Sequence, residues 1–336
     1  MRKQKTIVIV LFMSIGFCSV SAQDITATER SEIIGNVVDQ LANRYVDPNL
    51  GQKAAQAIRQ EKEKQPYNAL GTKASLIEAL MADMYAITGD KQLQLKDQSG
   101  ARPEWIPPAI TIQTPAGTNP DDPQYRKTIL QFINYGLINP HVLEGNIGCL
   151  GILEFFSPKI APEVYQVIDK TMQSFQECTA MILDLSFCDR GGDPEVMMYL
   201  ASYFLEGEEP QPLYVSFDRE NQKIAEFRTR TDVAGRRMPN IPLYIVTSSK
   251  TFSTGEMFAY GLQKIGRAKI IGETTAGAAH GTDTVSIGNG VMMVVPINRL
   301  AHVKTKTNWE RAGVIPDVPT QADKALDVAK DLIQKK

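Results

Sequence analysis

The spacing of apolar residues divides the chain into a helical first part and a mixed second part. Between residues 24 and 90, apolar residues recur every three or four positions, which predicts three helices. Thr26 and Glu29 have the spacing of a capping box at the start of the first helix, and Gly89 ends the third. The pattern therefore predicts a small bundle of helices in this part of the chain.

From residue 130 onwards, short apolar runs alternate with amphipathic helical patterns. Helices are predicted to begin near Pro162, Pro194 and Gln321, and a hairpin occupies about 212–232. Strands are predicted at 146–153, 180–185, 243–246, 268–271 and 290–297, the last continuing the same sheet. This alternation is typical of an α/β fold with a mainly parallel sheet.

Residues 99–129 lack this regularity. Prolines, glycines and asparagines are frequent there, around one strand-like run at 109–113. Such a composition favours a linker or an irregular insertion. The predicted division is therefore a helical domain at 23–98, a linker or insertion at 99–129, and an α/β domain at 130–336.

The first 22 residues have the pattern of an export signal. Basic residues precede an apolar run at 7–17, and small residues at 19–22 supply a cleavage site. Phe17 directly before Cys18 argues against a lipoprotein signal. We expect a chain that is exported to the periplasm or secreted, with no stable membrane insertion after cleavage. A retained N-terminal anchor is the alternative.

Charge and cysteine content exclude several classes of function. The net charge of −2 becomes −5 without the signal, which carries three basic residues and no acidic ones. No block of like charge indicates a nucleic-acid partner. The remaining cysteines, Cys149, Cys178 and Cys188, have neither a disulfide-framework nor a zinc spacing. No metal and no cofactor is therefore expected.

The stretch 243–277 carries the candidate chemistry. It predicts a buried strand, a tight turn containing Ser253 and Thr254, a helix and a second strand. A serine at the first turn of a helix lies near free N–H groups and the positive end of the helix dipole. An acyl-transfer nucleophile needs such surroundings, because an oxyanion forms beside it. A helix cap is the commoner role for such residues.

Four motifs resemble one family. They are GNIGCLGILEF at 145–155, ILDLSFCDRGGDPEVMMYLASYF at 182–204, TSSKTFSTGEMFAYGLQKIGRAKIIGETTAGAAHG at 247–281 and NWERAGVIPD at 308–317. Together they are similar to the tail-specific, or C-terminal processing, serine peptidases. The nearer branch resembles interphotoreceptor retinoid-binding protein and the tricorn protease core. No segment would accommodate the PDZ domain that other branches carry.

The resemblance implies a crotonase/ClpP-like spiral of ββα units for the second part of the chain. It implies Ser253 as the nucleophile, and an oxyanion hole formed by the N–H groups of Thr254 and of Gly191 or Gly192. A glutamate in the NWE motif, here Glu310, would support the site by orienting a base or a water molecule. The implied substrate is a peptide or a protein.

Two departures from the family pattern concern the general base. Ala278 stands where the lysine-using branch has its lysine, so a Ser–Lys dyad is not expected. Gln92 stands where the tricorn-like branch has a histidine, in a segment reading D-x-H-L. Glutamine cannot accept and hold a proton near neutral pH. A smaller departure is Ser186, which replaces an arginine before a loop that is one residue longer.

Three histidines remain as other candidates for the base. His280 follows the glycine turn that lies beside the active site in the family, so it is either a substitute base or a loop residue that contacts substrate. His141 and His302 have no motif around them, and structural or surface roles are the default.

Two functions follow from the sequence. The first is an exported serine peptidase that works through an acyl-enzyme on Ser253, impaired by the change at Gln92. The second is an inactive relative that binds peptides or an apolar ligand. Another crotonase-like acyl-transfer enzyme is a weaker alternative, because no coenzyme A or nucleotide site is evident.

Overall fold

The computed structural model describes residues 24–64, 66–98, 119 and 122–335. The predicted signal at 1–22 and the strand-like run at 109–113 lie outside these residues. Among the helices that are described, none has the length and apolar character that crossing a bilayer requires.

The elements are here numbered in chain order. The helices are α1 (Ala27–Arg44), α2 (Pro48–Lys64), α3 (Lys73–Thr88), α4 (Pro123–Phe132), α5 (Val164–Gln173), α6 (Pro194–Ser202), α7 (Thr254–Lys264) and α8 (Ala322–Gln334). The strands are β1 (Gln94–Asp97), β2 (Leu137–Leu143), β3 (Ile147–Ile152), β4 (Ala180–Asp184), β5 (Pro212–Phe217), β6 (Lys223–Arg228), β7 (Leu243–Thr247), β8 (Lys269–Gly272), β9 (His280–Ser286), β10 (Val291–His302) and β11 (Val318–Pro319).

The three N-terminal helices form where the apolar periodicity predicts them. α1 begins with the predicted capping box, in which the Glu29 N–H donates to Thr26 Oγ1 and the Thr26 N–H donates to Glu29 Oε2. Gly89 ends α3 in the left-handed conformation, with φ of 64°. Local capping chemistry therefore fixes both ends of this segment.

A six-stranded sheet organises the second part of the chain, in the order β11-β8-β7-β4-β3-β2. The neighbours from β3 to β11 are parallel, and β2 is antiparallel to β3 at the edge. Helices α5, α6 and α7 bury one face of this sheet, and α8 packs on the other. The connections after β3, β4 and β7 leave its carboxyl edge, where α/β proteins place their functional groups.

Strand β10 corrects a prediction. The sequence analysis expected residues 290–297 to continue the parallel sheet, but β10 lies in a second sheet. It pairs antiparallel with β1, β5 and β9. Alternate side chains explain this placement: Val291, Met293 and Val295 pack against α1 to α3, while the residues between them face away. The helical segment therefore shares its core with strands from the far end of the chain.

Helix α4 corrects part of the predicted linker at 99–129. Residues 123–129 belong to this helix, which begins with Asp122 as its cap and Pro123 in its first turn. Tyr125, Ile129 and Leu130 bury its inner face in the main core. The sequence contains this helix start, but the many prolines around it favoured a linker in the sequence analysis.

Candidate functional site

Ser253 lies in the tight turn between β7 and α7, at the carboxyl edge of the parallel sheet. Every residue of β7 is buried, so the strand fixes where this turn begins. Ser253 takes the N-cap position of α7 with φ of 51° and ψ of −116°, a backbone conformation that residues other than glycine rarely adopt. Strain of this kind is concentrated at functional sites.

Glu256 ties this turn to the loop that follows β8. Its carboxylate accepts hydrogen bonds from the N–H groups of Ser253, Gly277 and Ala278 and from the Thr275 hydroxyl, at 2.6–2.9 Å. Burial raises the pKa of Glu256 to about 7, although these four donors act in the opposite direction. The glutamate of the serine motif therefore holds the backbone of the turn in place.

The Gly191–Gly192 loop lies against the start of α7. Both residues have positive φ, at 78° and 115°. A Cβ added to Gly191 would lie 2.5 Å from the Thr254 nitrogen and 3.0 Å from Ser253 Cβ, so only glycine allows this approach. The Thr254 hydroxyl donates to the Gly192 carbonyl at 2.7 Å. These contacts bring the three predicted oxyanion-hole residues together beside Ser253.

Gln92 contacts Ser253 directly. Its side chain is buried, and its Oε1 accepts a 2.7 Å hydrogen bond from the backbone N–H of His280. Because that N–H is a donor, the amide oxygen must face it, and Nε2 faces Ser253 Oγ at 3.3 Å. The serine therefore receives a hydrogen bond from Gln92, whereas a general base would accept one.

His280 is held by acids. Its Nδ1 lies 2.8 Å from Asp90 Oδ2 and 3.7 Å from Glu310 Oε2. Glu310 also accepts a hydrogen bond from the Ala279 N–H at 2.8 Å, and the Tyr45 hydroxyl donates to Asp90 Oδ2 at 3.0 Å. The structure thus brings together His280 and Glu310, both predicted site residues, and adds Asp90 as the nearer acid of His280.

The pKa values in this cluster reflect its mutual pairing. Burial alone would lower the pKa of His280, but the hydrogen bond to Asp90 and the charge of Glu310 outweigh it and raise that pKa. Burial alone would likewise raise the pKa of Asp90, yet its bond to His280 keeps that pKa below its usual value. The pKa of Glu310 is raised, mainly by burial. A charged His280 facing an ionised Asp90 is therefore favoured.

Asp90, His280 and Glu310 are also the described residues whose potential metal-ligand atoms converge, all within 4.8 Å of one another. His280 Nδ1 and Asp90 Oδ2 are already at hydrogen-bond distance. The arrangement is that of an ion pair supported by hydrogen bonds, and a metal between these two atoms would require them to separate.

A cavity of about 230 Å³ opens beside Ser253. One wall comes from the connections at the carboxyl edge of the parallel sheet and includes Glu154, Asp189 and Arg190. The opposite wall is one face of the antiparallel sheet, lined by Gln94, Lys96, Thr282, Thr284 and Val294. The N-terminal helices pack on the other face of that sheet, so they support this wall from behind.

The other two histidines lie apart from these contacts. His141 is exposed on β2, with Nδ1 2.7 Å from the Asn139 carbonyl. His302 is fully buried in edge-on contact with Tyr214 and Tyr260. Surface and structural positions are what the sequence analysis predicts for them.

Sequence reasoning missed two members of the site. Asp90 was part of the segment that identified Gln92, but nothing in its spacing links it to a histidine 190 positions later. Glu154, at the end of the first family motif, was not singled out among the acids. A polar residue shortly after a buried strand was the available signal for it.

Comparison with known proteins places these features in a context. Residues 146–320, more than half of the chain, match the family model described as peptidase family S41. This range contains Ser253, the Gly191–Gly192 loop, His280 and Glu310. Gln92 and Asp90 precede it.

Solved structures share the fold across most of the chain. A lipoprotein from Streptococcus agalactiae has a TM-score of 0.61 at 16% identity, over 94% of this chain and 99% of that one. The photosystem II D1 C-terminal processing protease has a TM-score of 0.54 at 16% identity, over 89% and 94%. The tricorn protease has 0.54 at 13% identity, over 91% of this chain and 37% of that one.

These matches confirm the predicted resemblance to C-terminal processing peptidases and the tricorn core, and with it the α/β fold class. The placement beside interphotoreceptor retinoid-binding protein and the lack of a PDZ domain stay predictions.

Proposed function

This chain belongs to peptidase family S41, and from that premise we propose that it is an exported serine peptidase-like hydrolase acting on peptides through Ser253. The observation that carries the proposal is the position of Ser253, which lines the cavity at a strained turn beside the Gly191–Gly192 loop. The expected substrate is a peptide or a segment of a protein.

In the proposed reaction, Ser253 Oγ attacks the carbonyl carbon of the scissile bond and loses its proton to solvent. The C–N bond then breaks as solvent protonates the leaving amine, which leaves the acyl-enzyme. Water hydrolyses that ester, releases the acid product and restores the Ser253 hydroxyl. The negative charge that develops on the carbonyl oxygen is stabilised by the N–H groups of Thr254 and of Gly191 or Gly192. Removing one such donor typically lowers kcat by about 10²–10³. Glu310 contributes indirectly, because it positions the backbone next to His280.

We propose further that turnover is impaired because Gln92 occupies the place of the expected histidine. The proton of Ser253 Oγ must then leave to solvent, since an amide donates to that oxygen and cannot take its proton. His280 pairs with Asp90 through Nδ1, and its backbone N–H donates to Gln92. Among the described residues, the side chain that hydrogen-bonds to Ser253 Oγ is Gln92 and not the His280 ring. A positioning role for His280 fits these contacts better than the role of substitute base.

The test of nucleophilicity is labelling by a fluorophosphonate. We expect labelling of the native chain, slow and faster at high pH, and none for Ser253→Ala. Ser249→Ala, at an exposed position in the same connection, is the matched control and should label normally. A folded native chain that never labels would contradict the proposal.

The hydrogen bond from Gln92 favours a second candidate, a catalytically inactive relative that binds peptides. Gln92→His separates the two candidates. If the cleft is otherwise competent, this substitution should raise peptide cleavage by about 10² or more, because a positioned general base contributes on that scale. Native cleavage above background that depends on Ser253 would support the hydrolase. No native cleavage, together with tight peptide binding, would support the binding protein.

A further inference from the structure

Glu154 is a buried acid in the wall of the cavity that contains Ser253. It lies two residues after the end of β3. The N–H of the next residue, Phe155, donates to the Gly191 carbonyl, and the Phe155 carbonyl accepts from the Asp193 N–H. Only 10% of the Glu154 side chain is exposed, yet the residue lines the cavity. Its backbone is therefore fixed relative to the turn that bears the nucleophile.

The carboxylate of Glu154 accepts no hydrogen bond from the residues that the structure describes. Its Oε2 is fully buried without a hydrogen-bond partner, and the Arg190 Nε lies 3.9 Å from it, beyond hydrogen-bond distance. Burial raises the pKa of Glu154 to about 7, and the charge of Arg190 offsets this only in part. A buried acid in this condition is destabilising until a donor reaches it.

Glu256 provides the internal standard. It is also buried and its pKa is also raised to about 7, yet four donors surround its carboxylate. The protein itself thus supplies the hydrogen-bond donors of the Glu256 carboxylate but not those of Glu154. A carboxylate that binds a ligand is expected to lack donors in this way when the ligand is absent.

The other charged residues around the cavity indicate what kind of ligand group Glu154 would bind. Lys96 and Arg190 are balanced by Glu154 and Asp189, so the cavity as a whole favours neither sign strongly. Lys96 lowers and Asp189 raises the pKa of Glu154. We therefore expect selectivity to come from Glu154, whose buried Oε2 has no hydrogen-bond donor. A cation that carries N–H groups supplies both the charge and the hydrogen bonds that it lacks.

We propose that Glu154 is a specificity-determining residue that accepts the side chain of a lysine or arginine of the substrate near the scissile bond. This assignment rests on the proposed peptide-binding role of the Ser253 cleft. The cavity of about 230 Å³ accommodates one such side chain beside the Ser253 hydroxyl. The carboxylate then gains the donors that it lacks.

The test uses equilibrium binding of two fluorescein-labelled peptides to full-length Ser253→Ala protein, read by anisotropy. The peptides differ at one position only, lysine in one and norleucine in the other. We expect the lysine peptide to bind at least about tenfold more tightly, as hydrogen bonds to charged groups contribute on that scale. The preference should grow as the pH rises through about 7, because Glu154 then ionises.

Glu154→Gln in the same background should abolish the preference and its pH dependence while the norleucine peptide binds as before. Glu154→Asp, which keeps the charge, should retain a reduced preference, and far-UV circular dichroism verifies that each variant is folded. Glu144→Gln, exposed in the turn before β3, is the matched control and should change nothing. An equal preference in Glu154→Gln, or none in the parent protein, would overturn the assignment.

The peptide-binding test of Glu154 can fail or succeed independently of the labelling test of Ser253. Selective binding of the lysine peptide by a chain that no fluorophosphonate labels would leave Glu154 assigned and remove the hydrolase. Labelling of Ser253 in a chain that binds both peptides equally would do the reverse.

Discussion

The two sides of Ser253 differ in how they are built and in what they preserve. The nucleophile side consists of the turn before α7 and the Gly191–Gly192 loop, and it has the features that the family resemblance implies. The acceptor side consists of Asp90, Gln92, His280 and Glu310, and there an amide donor contacts the serine where a base is expected. The residues of the proposed oxyanion hole thus lie together beside Ser253, while Gln92 occupies the position of the expected base.

The two sides are anchored by different side chains. Glu256 holds the nucleophile turn through contacts with residues 275–278. His280 and Asp90 hold each other, and Gln92 is fixed by the His280 backbone. Because each side has its own anchoring side chain, substitutions can test each side separately.

The largest expected effect is on the nucleophile side, from Glu256→Ala. Four donors would lose their buried acceptor, and leaving such groups unpaired typically costs about 1–3 kcal/mol each. We expect the free energy of unfolding to fall by about 3 kcal/mol or more, measured by urea denaturation. Glu195→Ala removes an exposed acid from the first turn of α6 and should change it by less than about 1 kcal/mol. Equal losses in both variants would contradict the role given to Glu256.

A second substitution separates the oxyanion region from the stability of the fold. Gly191→Ala would place a methyl group 2.5 Å from the Thr254 nitrogen, so the loop or the start of α7 must shift. We expect fluorophosphonate labelling of Ser253 to slow by about 10²-fold or more.

Gly145→Ala is the control for that substitution. It has a similar φ of 83°, but the nearest atom to an added Cβ is 3.8 Å away. It therefore imposes the same backbone strain without the clash, and labelling should be unchanged. Comparable slowing in both variants would show that strain alone, and not the approach of the two backbones, is responsible.

The sequence predicts the nucleophile side much better than the acceptor side, for a physical reason. The strand, turn and helix around Ser253 are contiguous, and their apolar periodicity and capping signals act within a few residues. Gln92 was identified only through the family resemblance. Its partners are separated from it by more than 160 positions, and no local pattern encodes such contacts.

The fold divides in the same way. Periodicity predicts α1 to α3, the parallel strands β3, β4, β7 and β8, and the C-terminal helix, because each buries its own apolar stripe or run. It does not predict that β10 belongs to the antiparallel sheet, because the same alternation of apolar residues fits a strand of either sheet. The pairing of β10 with β1 and β9 determines which sheet it joins. Periodicity does not predict β2 or β9, because β2 has one buried residue, β9 has none, and neither contains a clear apolar run.

The smallest expected effect lies on the acceptor side and depends on pH. The pKa of His280 is raised in the folded state, so its pairing stabilises the fold fully below the unfolded pKa of about 6.5 and is lost as the pH rises through the folded value. Asp90 stays ionised in that range, because its pKa is lowered. His280→Asn should therefore lower the free energy of unfolding by about 1–3 kcal/mol near pH 6 and by less at pH 9.

The control for that measurement is His141→Asn, which changes an exposed histidine and should be neutral at both pH values. Urea titrations of the three proteins at each pH give the comparison. A loss that is independent of pH would mean that His280 acts only by packing. A loss that is larger at pH 9 would mean that the neutral ring is the stabilising form, and a neutral His280 could then accept a proton. The pH at which the stabilisation by His280 is lost thus decides whether His280 forms a structural ion pair with Asp90 or is a neutral ring that could act as a general base.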